Sequence, residues 1–319
     1  MKSRLVMLMS LGIAALSIIL AAARVNFYVT SPPIARAPLR ATPASYLGVF
    51  EPGAPPSYLP IATFANLAGR EPNLAGYFSG WAEPFNTAFA ETLHSHGIIP
   101  YIQIDPTDAS ISAIAAGNDD SYLETYADAV ADYGHAVVIG FGHEMNAPWY
   151  SWGYRHVRAS TFVAAWRHLV TVFRQEGADN VTWLWTIQAD EQGTGPVASW
   201  WPGAKYVSWV GIDGFYVRPS DTFASVFGRT IAQVRKFTGR PVLLSETAVG
   251  PRAGQFSKIS DLFGGVLADK VLGLVWFDVD QNDGIYHQDW RLEGSSTPTQ
   301  ESFRLGVSED LAPAGNGRA

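Results

Sequence analysis

Eight short apolar runs, each bounded by turn residues and separated by segments of helical spacing, leave this chain few folds to choose from. They are Tyr46–Phe50, Leu74–Phe78, Ile98–Ile104, Ala136–Gly142, Val181–Thr186, Val207–Asp213, Pro241–Ser245 and Val271–Phe277. Runs of this length without alternation read as strands buried on both faces, as in a parallel sheet covered by helices. The clearest helix is Ser160–Glu176, where Phe162, Trp166, Leu169, Val170 and Phe173 share one face. Gly97, Gly134, Gly177 and Gly239 stand where such helices need a left-handed cap before the next strand. The recurring strand–helix–glycine order predicts an α/β chain, and eight units fit one closed (β/α)8 TIM barrel. An open doubly wound sheet is the alternative, but no glycine-rich phosphate loop follows the first strand.

Composition narrows the possibilities further. The 319 residues are 47% hydrophobic and 16% charged, which suits a large core and excludes disorder. A net charge of −7 without a basic stripe argues against nucleic acid as a partner. The sequence has no cysteine, so disulfides, thiol catalysis and thiolate metal sites are excluded. Lys2 and Arg4 precede an apolar run from Leu5 to Ala23, and the small residues Ala21, Ala22 and Ala23 precede Arg24. Residues 1–24 therefore read as a signal peptide or as an uncleaved membrane anchor, which puts the protein outside the cell or on the outer side of the cytoplasmic membrane. Residues 25–44, with Pro32, Pro33, Pro38 and Pro43, read as a linker, residues 45–308 as the barrel, and residues 309–319 as a flexible tail.

The polar residues that close the runs are the next constraint. Glu51, Asp105, Glu144, Gln188, Asp213 with Tyr216, Glu246 and Asp278 all follow apolar stretches. In a barrel such residues meet at one mouth, where active sites form. Polarity also resumes at any strand end, which accounts for some of them. It accounts less easily for Glu144 and Glu246, which sit about a hundred residues apart and are closely flanked by apolar residues. A carboxylate is costly to hold there unless it has work to do. Two carboxylates with different tasks point to glycoside hydrolysis.

Each candidate has a competing reading. Glu144 lies in Gly142-His-Glu-Met-Asn-Ala-Pro-Trp-Tyr-Ser-Trp-Gly153, which is not a zinc helix because Ala147 stands where a second histidine is needed. Its expected role is general acid/base, with Trp149 and Trp152 supplying a low-dielectric wall; a buried ion-paired glutamate is the alternative. Glu246 is the expected nucleophile, and Tyr216 the natural donor to keep it charged, unless the Tyr216 ring merely packs. On a regular strand His143 points opposite to Glu144, so it reaches the site only if the strand twists or bulges; otherwise it is a satisfied core histidine. Trp276 either floors a sugar site or packs. Trp81, Trp149, Asp105, Asn146 and Asp278 complete the candidate substrate contacts. The stretch Asp278–Gly284 looks like a calcium loop, but Asp283 replaces the required glycine and Asp289 the twelfth-position glutamate, so a polar rim loop is the better reading.

At these residues the chain resembles glycoside hydrolase family 26, the β-mannanase family, over roughly residues 46–305. The resemblance rests on Gly142-His-Glu-Met-Asn with Trp149 and Trp152, on Trp209-Val-Gly-Ile-Asp-Gly-Phe-Tyr216, on Ser245-Glu246-Thr and on Trp276, with Gly76-Tyr-Phe-Ser-Gly-Trp81 a looser match. It implies a barrel that hydrolyses an internal β-glycosidic bond, most readily in β-1,4-mannan, with retention. Glu246 would attack, Glu144 would act as acid/base, and the two carboxyl groups would lie about 5–5.5 Å apart. It also implies His143, Tyr216 and Trp276 as site residues and no metal or organic cofactor; the expected partner is the polysaccharide substrate, with membrane anchoring through residues 5–23 open, and the expected state a monomer. The chain departs from the pattern at Asn146-Ala-Pro-Trp149, and at Asp105, where some mannanases place a histidine. Since family members also act on mixed-linkage β-glucan and β-1,3-xylan, a glucanase or xylanase is the alternative. A non-catalytic polysaccharide-binding or envelope accessory protein is the reading from another class.

Overall fold

In a computed structural model the described residues are 39–190, 193–250, 252–282 and 286–311. Eight parallel strands close into one barrel in sequence order. They are β1 (Tyr46–Phe50), β2 (Leu74–Gly80), β3 (Ile99–Asp105), β4 (Val137–Phe141), β5 (Val181–Gln188), β6 (Trp209–Asp213), β7 (Val242–Thr247) and β8 (Gly273–Phe277). The helices are α1 (Leu59–Ala68), α2 (Thr87–Ser95), α3 (Ile111–Ala115), α4 (Asp120–Tyr133), α5 (Ala159–Gln175), α6 (Arg229–Val234), α7 (Gln255–Ala268) and α8 (Thr297–Leu305). All eight expected strands are present, and the expected helix over 160–176 is α5, shifted by one residue. Two-residue strands Asp280–Gln281 and Gln288–Asp289 form a small hairpin beyond β8 that the sequence pattern does not announce.

The strands look continuously apolar because each face meets a different core. Outward residues such as Leu47, Ile102, Ile139, Trp183, Ile212 and Leu274 join the large cluster under the helices. Inward residues Tyr46, Leu74, Tyr101, Val138, Leu184, Trp209, Leu243 and Val275 fill the lower barrel. Above them lies a polar layer in which Gln103 donates to Thr186 Oγ1 over 2.8 Å and Ser245 donates to Asp213 Oδ1 over 2.5 Å. Gly211 makes room for this layer: a Cβ there would stand 2.5 Å from Ser245 Oγ and 2.7 Å from Thr186 Oγ1.

Left-handed glycines end the helices as expected at Gly97, Gly134 and Gly177, with φ of 75°, 65° and 78°. Gly239 departs from that expectation. Its φ is not positive, because α6 stops at Val234 and the chain turns through Arg235–Thr238 before reaching it. Within the stretch read as a linker, Leu39 packs beneath the inner core with its amide on Thr182 Oγ1 (3.0 Å), and Ala44 is buried. At the other end a helical turn carries the chain on to a buried Leu311, past the expected start of the tail. Residues 1–24, read as a signal peptide or anchor, lie outside the described residues. Among those described, no helix is long and apolar enough to cross a membrane.

Candidate active site

Where β4 ends, the backbone leaves the extended region. Gly142 and Glu144 both take left-handed conformations, with φ of 55° and 52°. For glycine this costs little, but for glutamate it is strained, and such strain persists where the surroundings impose it. The Glu144 amide, held to Thr186 O at 3.0 Å, is part of that imposition. Asn146 is another part: its side-chain amide donates to Gln188 O (2.9 Å) and accepts from Gln188 N (2.8 Å), tying the loop to the end of β5. Asn146 is fully buried with both ends used, so it braces the loop and does not face substrate as expected.

The break in alternation brings His143 and Glu144 to the same mouth. His143 Nδ1 lies 2.7 Å from Asp105 Oδ1 at the end of β3, and Nε2 lies 3.0 Å from the Tyr150 hydroxyl. Trp152 donates its indole N–H to His143 O (2.9 Å) and stacks on Tyr150 at 4.4 Å. Trp149 donates its indole N–H to Glu144 Oε2 (2.7 Å) and leaves 42% of its surface exposed. Glu144 thus lies against an indole, as the sequence suggests, but the contact is Trp149, while Trp152 steadies the histidine's backbone.

Burial works against a charged His143, but the Asp105 carboxylate outweighs it, helped by Glu144 and Asp213, and pushes the imidazole from 6.5 up to about 9. The buried ring is therefore a cation at neutral pH, donating from both nitrogens. A displacement of that size is worth on the order of 3 kcal/mol. The sign follows from proton binding. Below pH 6.5 folded and unfolded chains both carry the proton and the pair contributes in full. Between 6.5 and about 9 the unfolded chain loses it first, so the contribution is lost as pH rises. Thermal unfolding across pH 6 to 10 is expected to show this falling limb, and His143→Gln to flatten it; an equal slope in the variant would mean the imidazole is neutral.

Glu246 reaches the mouth through a bulge. Gly211 of β6 pairs with Leu243 and Asp213 with Glu246, so β7 carries one extra residue, and the register with β8 slips likewise. A bulge re-aims a side chain. Here it lets both Ser245 and Glu246 face inward, the one bonded to Asp213 and the other beside it. The Glu246 backbone N–H also donates to the Asp213 carboxylate. Burial, then Asp213, Glu144 and Asp105, hold the Glu246 carboxyl well above its usual range. Burial and then Glu144 do the same to Asp213. Crowded buried carboxylates of this kind resist ionising together, so the cluster favours holding a proton. Among the described residues, Glu246 Oε1 and Asp213 Oδ2 find no hydrogen-bond partner.

Four other expected contacts are not at the mouth. The Tyr216 hydroxyl donates to Asp261 Oδ2 of α7 (3.0 Å), so it does not serve Glu246; β6 has ended at Asp213 and the fully buried Tyr216 ring turns into the helix layer. Trp276 faces the same layer, edge-on to Phe303 of α8 at 5.0 Å, because it alternates with the inward Val275 and Phe277. Asp278 is 3% exposed and accepts from Trp276 Nε1 (3.0 Å) and Leu292 N (2.5 Å), which anchors the loop after β8. It also bonds Glu51 of the β1 end, whose carboxyl burial and then Asp278 push up to about 10. Asp278 is thus structural, not substrate-facing. Trp81 is half-buried, its ring against Tyr122 (4.9 Å) and Phe141 (5.9 Å) on the outer side of the rim.

Sequence reasoning placed Asp213 among the strand ends without giving it a role, and passed over Tyr150 and Phe78. Asp213 was legible, since it continues the inward series Trp209, Gly211. A flank cavity of about 570 Å³ is lined by Pro84, Phe85, Asn118, Tyr122 and Tyr126, and none of the strand-end carboxylates borders it. Among the described residues no cluster of three or more His, Asp or Glu has metal-binding geometry.

A barrel mouth with these carboxylates, a cationic histidine and an indole on one acid can now be set beside known proteins. Residues 109–293, more than half of the chain, match glycosyl hydrolase family 26. The chain is 28% identical over 260 residues to endoglucanase H of Acetivibrio thermocellus, covering 76% of this chain and 28% of that protein. It is 27% identical over 130 residues to mannan endo-1,4-beta-mannosidase A and B of Caldalkalibacillus mannanilyticus, covering 39% of this chain and 25% of that protein. It therefore spans about a quarter of the length of these curated relatives. The catalytic domain of the Bacillus sp. JAMB-750 GH26 endo-beta-1,4-mannanase shares its fold, with a TM-score of 0.64, 15% identity, and coverage of 86% and 89% of the two chains. The chain belongs to glycosyl hydrolase family 26.

Proposed function

We propose that this protein is a retaining, endo-acting hydrolase of a β-linked polysaccharide, with Glu246 as nucleophile and Glu144 as acid/base. The observation that carries the reading is the convergence of Glu144 and Glu246 on one mouth, each aimed by a local departure from regular strand geometry. In the first step a Glu246 carboxylate oxygen bonds the anomeric carbon, the bond from that carbon to the leaving oxygen breaks, and the Glu144 proton passes to the leaving oxygen. In the second step Glu144 takes a proton from water, the water oxygen bonds the anomeric carbon, and the ester to Glu246 breaks. The crowding of Glu144, Asp213 and Glu246 supports the first state, since it favours one proton held among several carboxyls. Trp149 donates to Glu144 Oε2 and so fixes the orientation of that carboxyl. The charge of His143, spent on Asp105, moderates the negative potential around the nucleophile.

Two backbones compete as substrate. The match to endoglucanase H runs along three quarters of this chain and favours a glucan; the mannanase match is half as long and favours β-1,4-mannan. The same machinery serves either. Export, by cleavage or anchoring of residues 5–23, would bring the enzyme to such a polymer. Reducing-sugar release from lichenan, mannan, galactomannan and β-1,3-xylan, with the barrel from residue 39 onward, tests the reading. Turnover of one polymer supports it; binding without turnover on all of them would favour a non-catalytic polysaccharide-binding protein.

A further inference from the structure

Among the described residues the large exposed apolar side chains are Leu59, Phe78, Trp149, Phe256, Leu267 and Leu305. Leu59, Phe256, Leu267 and Leu305 sit at the ends of α1, α7 and α8. Phe78 and Trp149 are different, for they flank His143 and Glu144. The exposure of Phe78 is built from the strands upward. Phe50 of β1 pairs in register with Gly76 of β2. Gly76 has no side chain, and a Cβ there would stand 2.5 Å from the Phe50 ring, so that ring lies flat across it. Phe78, the next inward position on β2, stacks on Phe50 at 5.0 Å and 19°. It meets the His143 ring at 5.3 Å with the two planes tilted by 44°. Raised on that support, Phe78 keeps 43% of its surface open. His143 and Tyr150, 4.7 Å apart, and then Tyr150 and Trp149, 6.5 Å apart, continue the aromatic surface across the mouth to Glu144.

We propose that Phe78 is a sugar platform on the Asp105–His143 side of the reacting carboxylates, where its open face carries a pyranose ring of the bound chain. The inference rests on the glycanase reading. An exposed aromatic face on a rigid strand, beside a buried ion pair, is matched by a ligand that is apolar on one face and hydroxylated at its edges. β-Linked gluco-, manno- and xylopyranoses in the chair form qualify, since each gathers the axial C–H bonds of C1, C3 and C5 on one face, and the axial 2-hydroxyl of mannose projects from the opposite face. The platform therefore grips the chain without choosing between glucan and mannan.

The test is direct binding in the Glu246→Gln background, by calorimetry with tetra- to hexasaccharides of lichenan and of mannan. Phe78→Ala is expected to raise Kd roughly tenfold, while Phe78→Tyr stays within about twofold of the parent. The melting temperature reports folding, and Phe78→Leu, which keeps most of the apolar area without a ring, is expected to recover only part of the affinity. Unchanged Kd in a folded Phe78→Ala, or a loss in Phe78→Tyr as large as in Phe78→Ala, overturns the platform and leaves the glycanase reading standing. Failure of the parent to bind any of these glycans, together with no hydrolysis by the unsubstituted protein, removes both.

Discussion

Replacing Glu246 by Gln is expected to lower kcat/KM by at least about a thousandfold on any polymer the protein cleaves, and at the same time to raise its melting temperature. The loss follows from chemistry: an amide cannot form the ester to the anomeric carbon. The gain follows from the site's electrostatics. Burial, Asp213, Glu144 and Asp105 all push the Glu246 carboxyl upward, so its ionisation in the folded state is opposed. Above the ordinary glutamate range the unfolded chain releases that proton freely and the folded chain less readily, so this group costs stability as pH rises. Gln keeps the shape and removes the cost, the usual trade between a strained site and a stable fold. Activity assays and thermal melts at pH 5, 7 and 8 check both halves, with the gain in melting temperature largest at pH 8. A variant that loses activity and stability together would mean Glu246 is a structural anchor.

The second large effect belongs to Glu144. Glu144→Ala is expected to reduce polysaccharide hydrolysis by about 10²–10⁴-fold, the range for loss of a positioned proton donor. The reduction should depend on the leaving group. With an aryl glycoside whose phenol is acidic, bond cleavage needs no proton, so the first step stays fast and the covalent intermediate accumulates because no base activates water. A burst of phenol followed by a slow steady state, accelerated by azide, is the expected signature. Slowing by the same factor for polymer and for activated glycoside, with no burst, would take the acid/base role away from Glu144. Since Glu144 holds a left-handed backbone conformation, Glu144→Gln serves as a control for folding, and Glu144→Gly relieves the strain.

Most of the architecture was legible because a closed parallel barrel leaves strong traces: eight doubly buried strands, a long amphipathic helix at α5, and left-handed glycines after three helices. The two glutamates were legible for the same reason, as charges at the ends of strands that are apolar on both faces. Tyr216 lies beyond the end of β6, and Trp276 lies within β8 on its outward phase. Tyr216 and Trp276 were taken as inward, yet Trp209, Gly211 and Asp213 fix the inward phase of β6, and Val275 and Phe277 that of β8. Counting by twos from the barrel interior would have chosen Asp213 and Phe277. Ser245 and Glu246 show the opposite case. Strict alternation allows only one of them to face inward, and the bulge that admits both is set by pairing with β6 and β8, which no local pattern in Val242–Thr247 encodes. Glu144 likewise joins His143 at the mouth only because Gly142 and Glu144 turn left-handed. Asn146 and Asp278 were misread for another reason: polar residues at a barrel rim serve loops as readily as ligands, and hydrogen-bond partners distant in sequence decide which.

The measurement that tests the account most directly is the anomeric configuration of the first product. Hydrolysis of a soluble lichenan or mannan oligosaccharide, followed by proton NMR within the first minutes, reports the new reducing end before it mutarotates. Double displacement through Glu246 predicts the β-anomer first, with the α-anomer appearing later at the rate of spontaneous mutarotation. An α-anomer released first would contradict the account, since it would mean a single displacement by water, with Glu246 as base and no glycosyl ester.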